Sequence, residues 1–504
     1  MSTSNVELLR KWPMAALALA CGSALGAEVN PELASAIRRD GSAEALIVLK
    51  DQATPMLAPL ASTAGYMERR RALVDALRAR AETQQSGLRA WLDERGIAHR
   101  DYWISNVVLA EGVRASDLKL LSGRREIARI ETNPSLPAHL PQPVAGRAPE
   151  TPDSIAWGVN KINAPEVWAA GFTGQGVVIG GEDTGYQWDH PALKPHYRGW
   201  NGTTADHNYN WHDSIHNSTG NPCGNDAPAP CDDYGHGTHT AGTFAGDDGA
   251  THQVGVAPGA KWVGCRNMDD GNGTPARYIE CMQWMLAPTD LNDQNPNPDI
   301  APDVISNSWT CTPGEGCSTG NEIIGAVRNL IAGGIFFAAA AANDGPSCST
   351  IIDAPAVFYG SFTVGATDSG DALASFSSRG PVLGRPSLRP GGNIKPDVSA
   401  PGVNVPSAWP PNTYTNLDGT SMATPHVAGA AALLMSANPD LKGHPAAVAR
   451  LLRDTAVTAS VTDPVNQTCG GTPRTTWPNY MIGYGRIDVF AAYQASLGGL
   501  EAGE

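Results

Sequence analysis

A chain of 504 residues with 41% hydrophobic and 17% charged residues is long enough for two or three compact units and too apolar to be a disordered polymer. Its net charge of −15 hides an asymmetry: residues 1–149 hold 19 basic and 16 acidic side chains, a net of +3, whereas residues 150–504 hold 16 and 34, a net of −18. An acidic body argues against nucleic acid or an anionic membrane as partner, and a basic N-terminal unit would be drawn to it.

Residues 1–27 read as an export signal. Arg10 and Lys11 supply the positive start, residues 12–20 are an apolar run too short to span a bilayer, and cleavage after Gly26 would put Ala24 and Gly26 at the two small positions. A buried N-terminal helix is disfavoured because small residues end the apolar run. Cys21 offers lipid anchoring as an alternative, with Ala18 standing where a larger aliphatic residue is usual. No later segment is apolar enough to span a membrane, so the expectation is a secreted protein, extracellular or periplasmic, without stable membrane insertion. Eight further cysteines follow: Cys223, Cys231, Cys265, Cys281, Cys311, Cys317, Cys348 and Cys469. An even number in an exported chain, without a CxxC, favours disulfides over zinc. Cys223 with Cys231 and Cys311 with Cys317 would make local loops; the full pairing stays open.

Residues 28–133 read as a small α+β unit. A strand is predicted over 45–50, a long helix over 68–94 with Leu73/Leu77 and Leu88/Leu92 at i, i+4, a strand over 102–110, a short helix over 115–121 and a strand over 127–132. Residues 134–153 form a linker with six prolines, a composition that cannot extend a helix or a central strand and that exposes chain to proteolysis. Over 154–498 apolar strands (176–181, 302–308, 334–341, 361–367) alternate with helices (238–246, 274–286, 321–332, 420–437, 444–455). This α/β pattern implies a parallel sheet covered by helices on both faces, with its site at the carboxyl ends of the strands.

Three glycine-rich segments carry chemistry. Asp183 ends a predicted strand, His236 starts a helix within GHGTHTAG, and Ser421 starts another within GTSMATPHVAG. A serine hydroxyl needs a base to become a nucleophile, an imidazole can take and return that proton, and a carboxylate fixes its tautomer. Each residue alone reads as a cap or loop residue; the three together, in the order Asp, His, Ser, do not. The stretches DTG with HPAL (183–193), GHGTHTAG (235–242) and GTSMATPHVAG (419–429) resemble the signatures of the subtilisin-like serine proteases, and the resemblance runs through about residues 155–495. It implies a subtilisin-like parallel sheet, Asp183, His236 and Ser421 as the triad, and Asn343, after the alanine run 339–342, as oxyanion donor beside the backbone N–H of Ser421. It further implies substrate-binding walls at Ser308, Trp309, Thr310, Ala341 and Ala342, and residues 28–133 as an inhibitory propeptide.

The sequence departs from the family pattern at Glu182, before the aspartate, at Ala342, where glycine is usual, and at Thr310. Glu182 either raises the basicity of His236 or points away from it; the latter is the expectation. No cofactor is required for such chemistry. Structural calcium lacks a clear ligand set; Asp232-Asp233 and Asp247-Asp248 read as solvated loops. The histidine- and aspartate-rich tract 206–213, with His239 and His252, reads as loop and helix residues, and His426 as structural. The expected function is a secreted serine endopeptidase acting on proteins or peptides, made as a self-processing precursor inhibited by its own propeptide. The rivals are a catalytically silent exported binding protein on the same fold and a metallopeptidase.

Overall fold

The computed structural model describes residues 26–52, 65–138, 140–143, 154–317, 321–383 and 394–498. The export signal up to residue 25, Cys21 included, and residues 144–153 of the linker lie outside the described residues.

The body is built on a seven-stranded sheet with the order 398–401, 362–367, 336–340, 304–307, 178–183, 261–266, 211–213, every neighbouring pair parallel. Parallel strands need helical crossovers, which cover both faces. On one face lies Thr420–Ala437, an alanine-rich helix buried along nearly its whole length, as a helix apolar on all sides must be. On the other lie Pro275–Leu286 and Asn321–Ala332, packed in a separate core with Ile305, Phe337 and Ala339. Strand order reverses around 178–183, so the carboxyl ends of 178–183 and 304–307 flank the crevice where sites form in such sheets.

Three of these strands were not expected. Lys261–Arg266 has charged ends and a central glycine, Val398–Pro401 is four residues long, and Trp211–Asp213 sits in the tract read as loop.

The N-terminal unit is a five-stranded sheet, order 28–29, 127–132, 43–49, 107–113, 99–102. The single strand expected over 102–110 is two, His99–Tyr102 and Val107–Val113, paired antiparallel around a turn in which Asn106 takes φ 49°. Alternation decides what each face touches. From strand Ala43–Leu49, Ala45, Ile47 and Leu49 pack with Leu88 and Leu92 of the unit's long helix, while Leu46 and Val48 join a core with Ile279, Met282 and Val327 of the body. From Ala45 onward the strand is apolar because both of its faces are buried there, one of them against another unit.

Polar contacts fix this docking. Arg70 donates to the carbonyl of Gly333 (2.7 Å), Arg71 pairs with Asp299 (2.5 Å), and Asn329 donates to the carbonyl of Ile104 (2.6 Å). Asn133 accepts from the N–H of Ala276 in the first turn of a body helix (2.9 Å). Tyr102 donates to Glu280 (3.2 Å), whose other oxygen meets both His212 (3.0 Å) and His216 (2.8 Å). Burial opposes charge on His212, but Asp293 and Glu280 outweigh it and push its pKa up to about 10.

The eight cysteines among the described residues are all paired, as 223–231, 265–281, 311–317 and 348–469.

Candidate active site

Asp183 is the last residue of strand Val178–Asp183 and His236 the first of helix His236–Ala245. The carboxylate of Asp183 meets His236 Nδ1 at 2.7 Å and accepts the N–H of Thr184 at 2.8 Å. Gly237 permits this approach: a Cβ there would lie 2.1 Å from the carbonyl oxygen of Gly185 and 3.0 Å from Asp183 Cβ. His236 Nε2 is buried and has no hydrogen-bond partner among the described residues.

Asp232 organises this junction and was not anticipated in that role. One oxygen accepts from Thr184 Oγ1 (2.9 Å), Tyr234 N and Gly235 N; the other accepts from the N–H and hydroxyl of Thr238. The signal was an acid four residues before the histidine, at the start of a helix whose first N–H groups need acceptors. Its neighbour Asp233 is a buried partner of Arg266 (3.0 Å), as is Asp213. Asp248 is bound to the backbone of its own loop and to His252.

Ser421 opens the central helix Thr420–Ala437. Its hydroxyl donates to the carbonyl of Ser308 at 2.8 Å. Ser308 Oγ in turn donates to the carbonyl of Ser421 at 3.0 Å. That carbonyl would ordinarily accept from the residue four positions on, which is Pro425 and has no N–H. The hydroxyl of Ser308 fills the gap.

Asn343 accepts from the N–H and hydroxyl of Thr420 through its side-chain oxygen (2.9 and 3.0 Å). Both acceptor directions are thereby taken on one side, which orients the amide nitrogen to the other. Ala342, where glycine was expected, takes φ 78°, a conformation that costs a residue with a Cβ about 1–2 kcal/mol.

Ser308, Trp309, Thr310, Ala340, Ala342, Asn343 and Ser421 border a cavity of about 110 Å³. Ala341, expected among its walls, instead packs in the core; Ala340 takes that place. Glu182 is fully buried, and neither carboxylate oxygen has a hydrogen-bond partner among the described residues. Burial pushes its pKa well above the usual carboxylate range. Strand alternation sends it to the face opposite Asp183, the face on which a side chain at Gly180 would meet Met285. His239 donates to the carbonyls of Val405 and Thr415 and His426 to that of Met422. Burial pushes their pKa values down to about 3 and about 4, which leaves both neutral and structural.

The tail of the N-terminal unit crosses this site. Leu136–Pro137 pairs antiparallel with Asn272–Gly273, Ala138 N–H donates to the carbonyl of Gly271 (2.9 Å), Ala138 and Leu140 line the cavity, and Pro141 lies against Gly419.

Residues 174–485 match the model of the Subtilase family. The chain belongs to the subtilase family. That family is one of serine endopeptidases. This subtilase is 32% identical to bacillopeptidase F of Bacillus subtilis over 95% of its own length, but it spans only about 33% of that protein. It is 36% identical to subtilisin DY of Bacillus licheniformis over 57% of its length and 87% of the relative's. Against subtilisin E of Bacillus subtilis the identity is 34% over 58% of this chain and 64% of the relative. Among the described residues, no helix of this subtilase is long and apolar enough to cross a membrane, and no group of three or more His, Cys, Asp or Glu side chains is disposed to hold a metal ion.

Proposed function

We propose that this subtilase is a secreted serine endopeptidase that cuts internal bonds of proteins or peptides through an acyl-enzyme on Ser421. In this reading residues 1–27 are its export signal, 28–133 its inhibitory propeptide, 134–153 the segment that is cut, and 154–498 the catalytic domain.

The chemistry follows from the atoms in hand. Asp183 holds the Nδ1–H tautomer of His236 and stabilises its cation. Nε2, which has no hydrogen-bond partner among the described residues, takes the proton of Ser421 as Oγ leaves the carbonyl of Ser308 and attacks the substrate carbonyl. The amide of Asn343 and the N–H of Ser421 receive the developing oxyanion. Imidazolium then protonates the leaving amine, and a water activated by the same imidazole releases the acyl group.

The observation that carries the precursor reading is the tail Leu136–Ala138, held as an added strand on Asn272–Gly273, with Ala138 bordering the same cavity as Ser421. Added strands are how extended peptides are bound, so the tail occupies the substrate's own path. Expression of Ser421→Ala in a host without other proteases tests it. The variant should accumulate as full-length precursor, whereas the parent should be cut between about residues 134 and 157 and label with a fluorophosphonate. Normal processing of the serine variant would overturn self-cleavage; an unlabelled parent would favour the silent binding protein.

A further inference from the structure

We propose that Glu182 is a positioning residue: its carboxylic acid donates a hydrogen bond to Asn307 Oδ1, and Asn307 in turn holds the wall of the cavity beside Ser421. The inference rests on the endopeptidase reading and adds a residue to that same site.

Glu182 and Asn307 are direct partners on neighbouring parallel strands, about 4.8 Å apart, so their side chains leave the same face of the sheet. Both are fully buried. Asn307 uses its nitrogen to donate to the carbonyl of Trp309 at 2.8 Å. Its oxygen has no hydrogen-bond partner among the described residues, and neither has either oxygen of Glu182. Two adjacent acceptors repel unless one of them carries a proton, and a protonated carboxyl supplies one O–H. Two neighbouring donors are turned elsewhere: Arg266, on the strand at the other side of Glu182, is engaged by Asp213 and Asp233, and the hydroxyl of Tyr186 stands where a side chain at Gly181 would point, on the opposite face. Burial without a cation keeps the carboxyl of Glu182 neutral.

What the bond holds is the segment 308–310. Asn307 and Trp309 flank Ser308, whose carbonyl accepts from Ser421 Oγ, and Trp309 and Thr310 border the cavity. Trp309 Nε1 donates back to the carbonyl of Glu182 at 2.9 Å. The proton on Glu182 therefore closes a ring of hydrogen bonds through Asn307 and Trp309, set between the residue before Asp183 and the residues around Ser308. Without that donor the amide of Asn307 keeps a buried oxygen unpaired, and the carbonyl of Trp309 loses a fixed anchor.

The test has two arms. Infrared difference spectra of the Ser421→Ala precursor against the same precursor carrying Glu182→Gln, at neutral pH, read the proton without requiring catalysis. A protonated-carboxyl C=O band should be present in the first, absent from the second, and displaced when Asn307→Leu is introduced instead. No such band, or one that Asn307→Leu leaves in place, overturns the proposal. In the processed enzyme, kcat/KM per fluorophosphonate-titrated serine should fall about 10- to 100-fold in Glu182→Leu, the scale of a small displacement at the site. Glu182→Gln, whose amide still donates to Asn307, should recover most of that loss. Equal values for the two variants overturn the positioning role and leave the endopeptidase reading standing; where Glu182→Leu does not fold, the infrared arm decides. A parent that neither labels nor cuts a mixed peptide library overturns the endopeptidase reading and the role built on it.

Discussion

Ser308 and Ser421 exchange two hydrogen bonds, each hydroxyl donating to the other's carbonyl. The pair ties the carboxyl end of one strand to the first turn of the central helix, and it exists because Pro425 leaves the carbonyl of Ser421 without its helical donor. Ser308→Ala should therefore strand a buried acceptor and lower stability by about 1–3 kcal/mol. Ser308→Thr, which keeps the hydroxyl, should lose less. Thermal unfolding of both variants checks this; equal melting points would refute it.

The proposed nucleophile, Ser421, and the proposed oxyanion donor, Asn343, should separate by magnitude. Removing Ser421 should lower turnover by about six orders, since the three residues act as a unit. Asn343→Ala should cost about two to three orders. Both magnitudes are those of subtilisin itself, carried to this relative. Active-site titration with steady-state kinetics on one peptide measures both, and near-normal turnover in Ser421→Ala would contradict the assignment.

Ala342 holds φ 78°, a region that glycine enters without penalty. Ala342→Gly should raise stability by about 1 kcal/mol. A drop in the unfolding midpoint would mean that the lost methyl packing outweighs the relieved strain.

Alkaline pH should loosen the interface around Glu280. Burial resists the charge on His212, yet Asp293 and Glu280 lift its pKa to about 10. The folded value stands above the unfolded one, about 6.5, so the stabilisation is complete below about pH 6.5 and is lost as pH rises through about 10. Melting points of the Ser421→Ala precursor should fall across that window, and His212→Gln should flatten the profile. An identical slope in the two proteins would show that another group sets it.

The disulfide between Cys348 and Cys469 spans 121 residues. Closing so long a loop in the unfolded chain is worth about 4–5 kcal/mol in the chain-entropy account. Replacing both cysteines by serine should cost more than the same change at Cys311 and Cys317, six residues apart. Denaturant midpoints of the two double variants decide the order.

Much of this architecture was legible because burial leaves a periodic trace. Asn321–Ala332 and Thr420–Ala437 were readable to the residue, the latter because its glycine-bounded motif marks a helix start. Lys261–Arg266 was not, since a glycine and two terminal charges interrupt its apolar run. The role of Asp232 was hidden for another reason: an acid whose work is to accept backbone N–H groups looks, in sequence, like any acid in a loop. The partner of Pro425 was equally silent, because the donor that replaces its missing N–H stands 117 positions away, at Ser308.

The strand Leu136–Pro137 and the cleft it crosses belong to one polypeptide, and this fixes the concentration at which they meet. A short tether presents its ligand at an effective concentration on the order of millimolar, whatever the dilution of the protein. In the processing proposed above, one cut between residues 138 and 153 would replace that constant with the true concentration of a separate molecule, which falls without limit as the protein disperses. Dilution then frees a cleft that it leaves closed in the uncut chain.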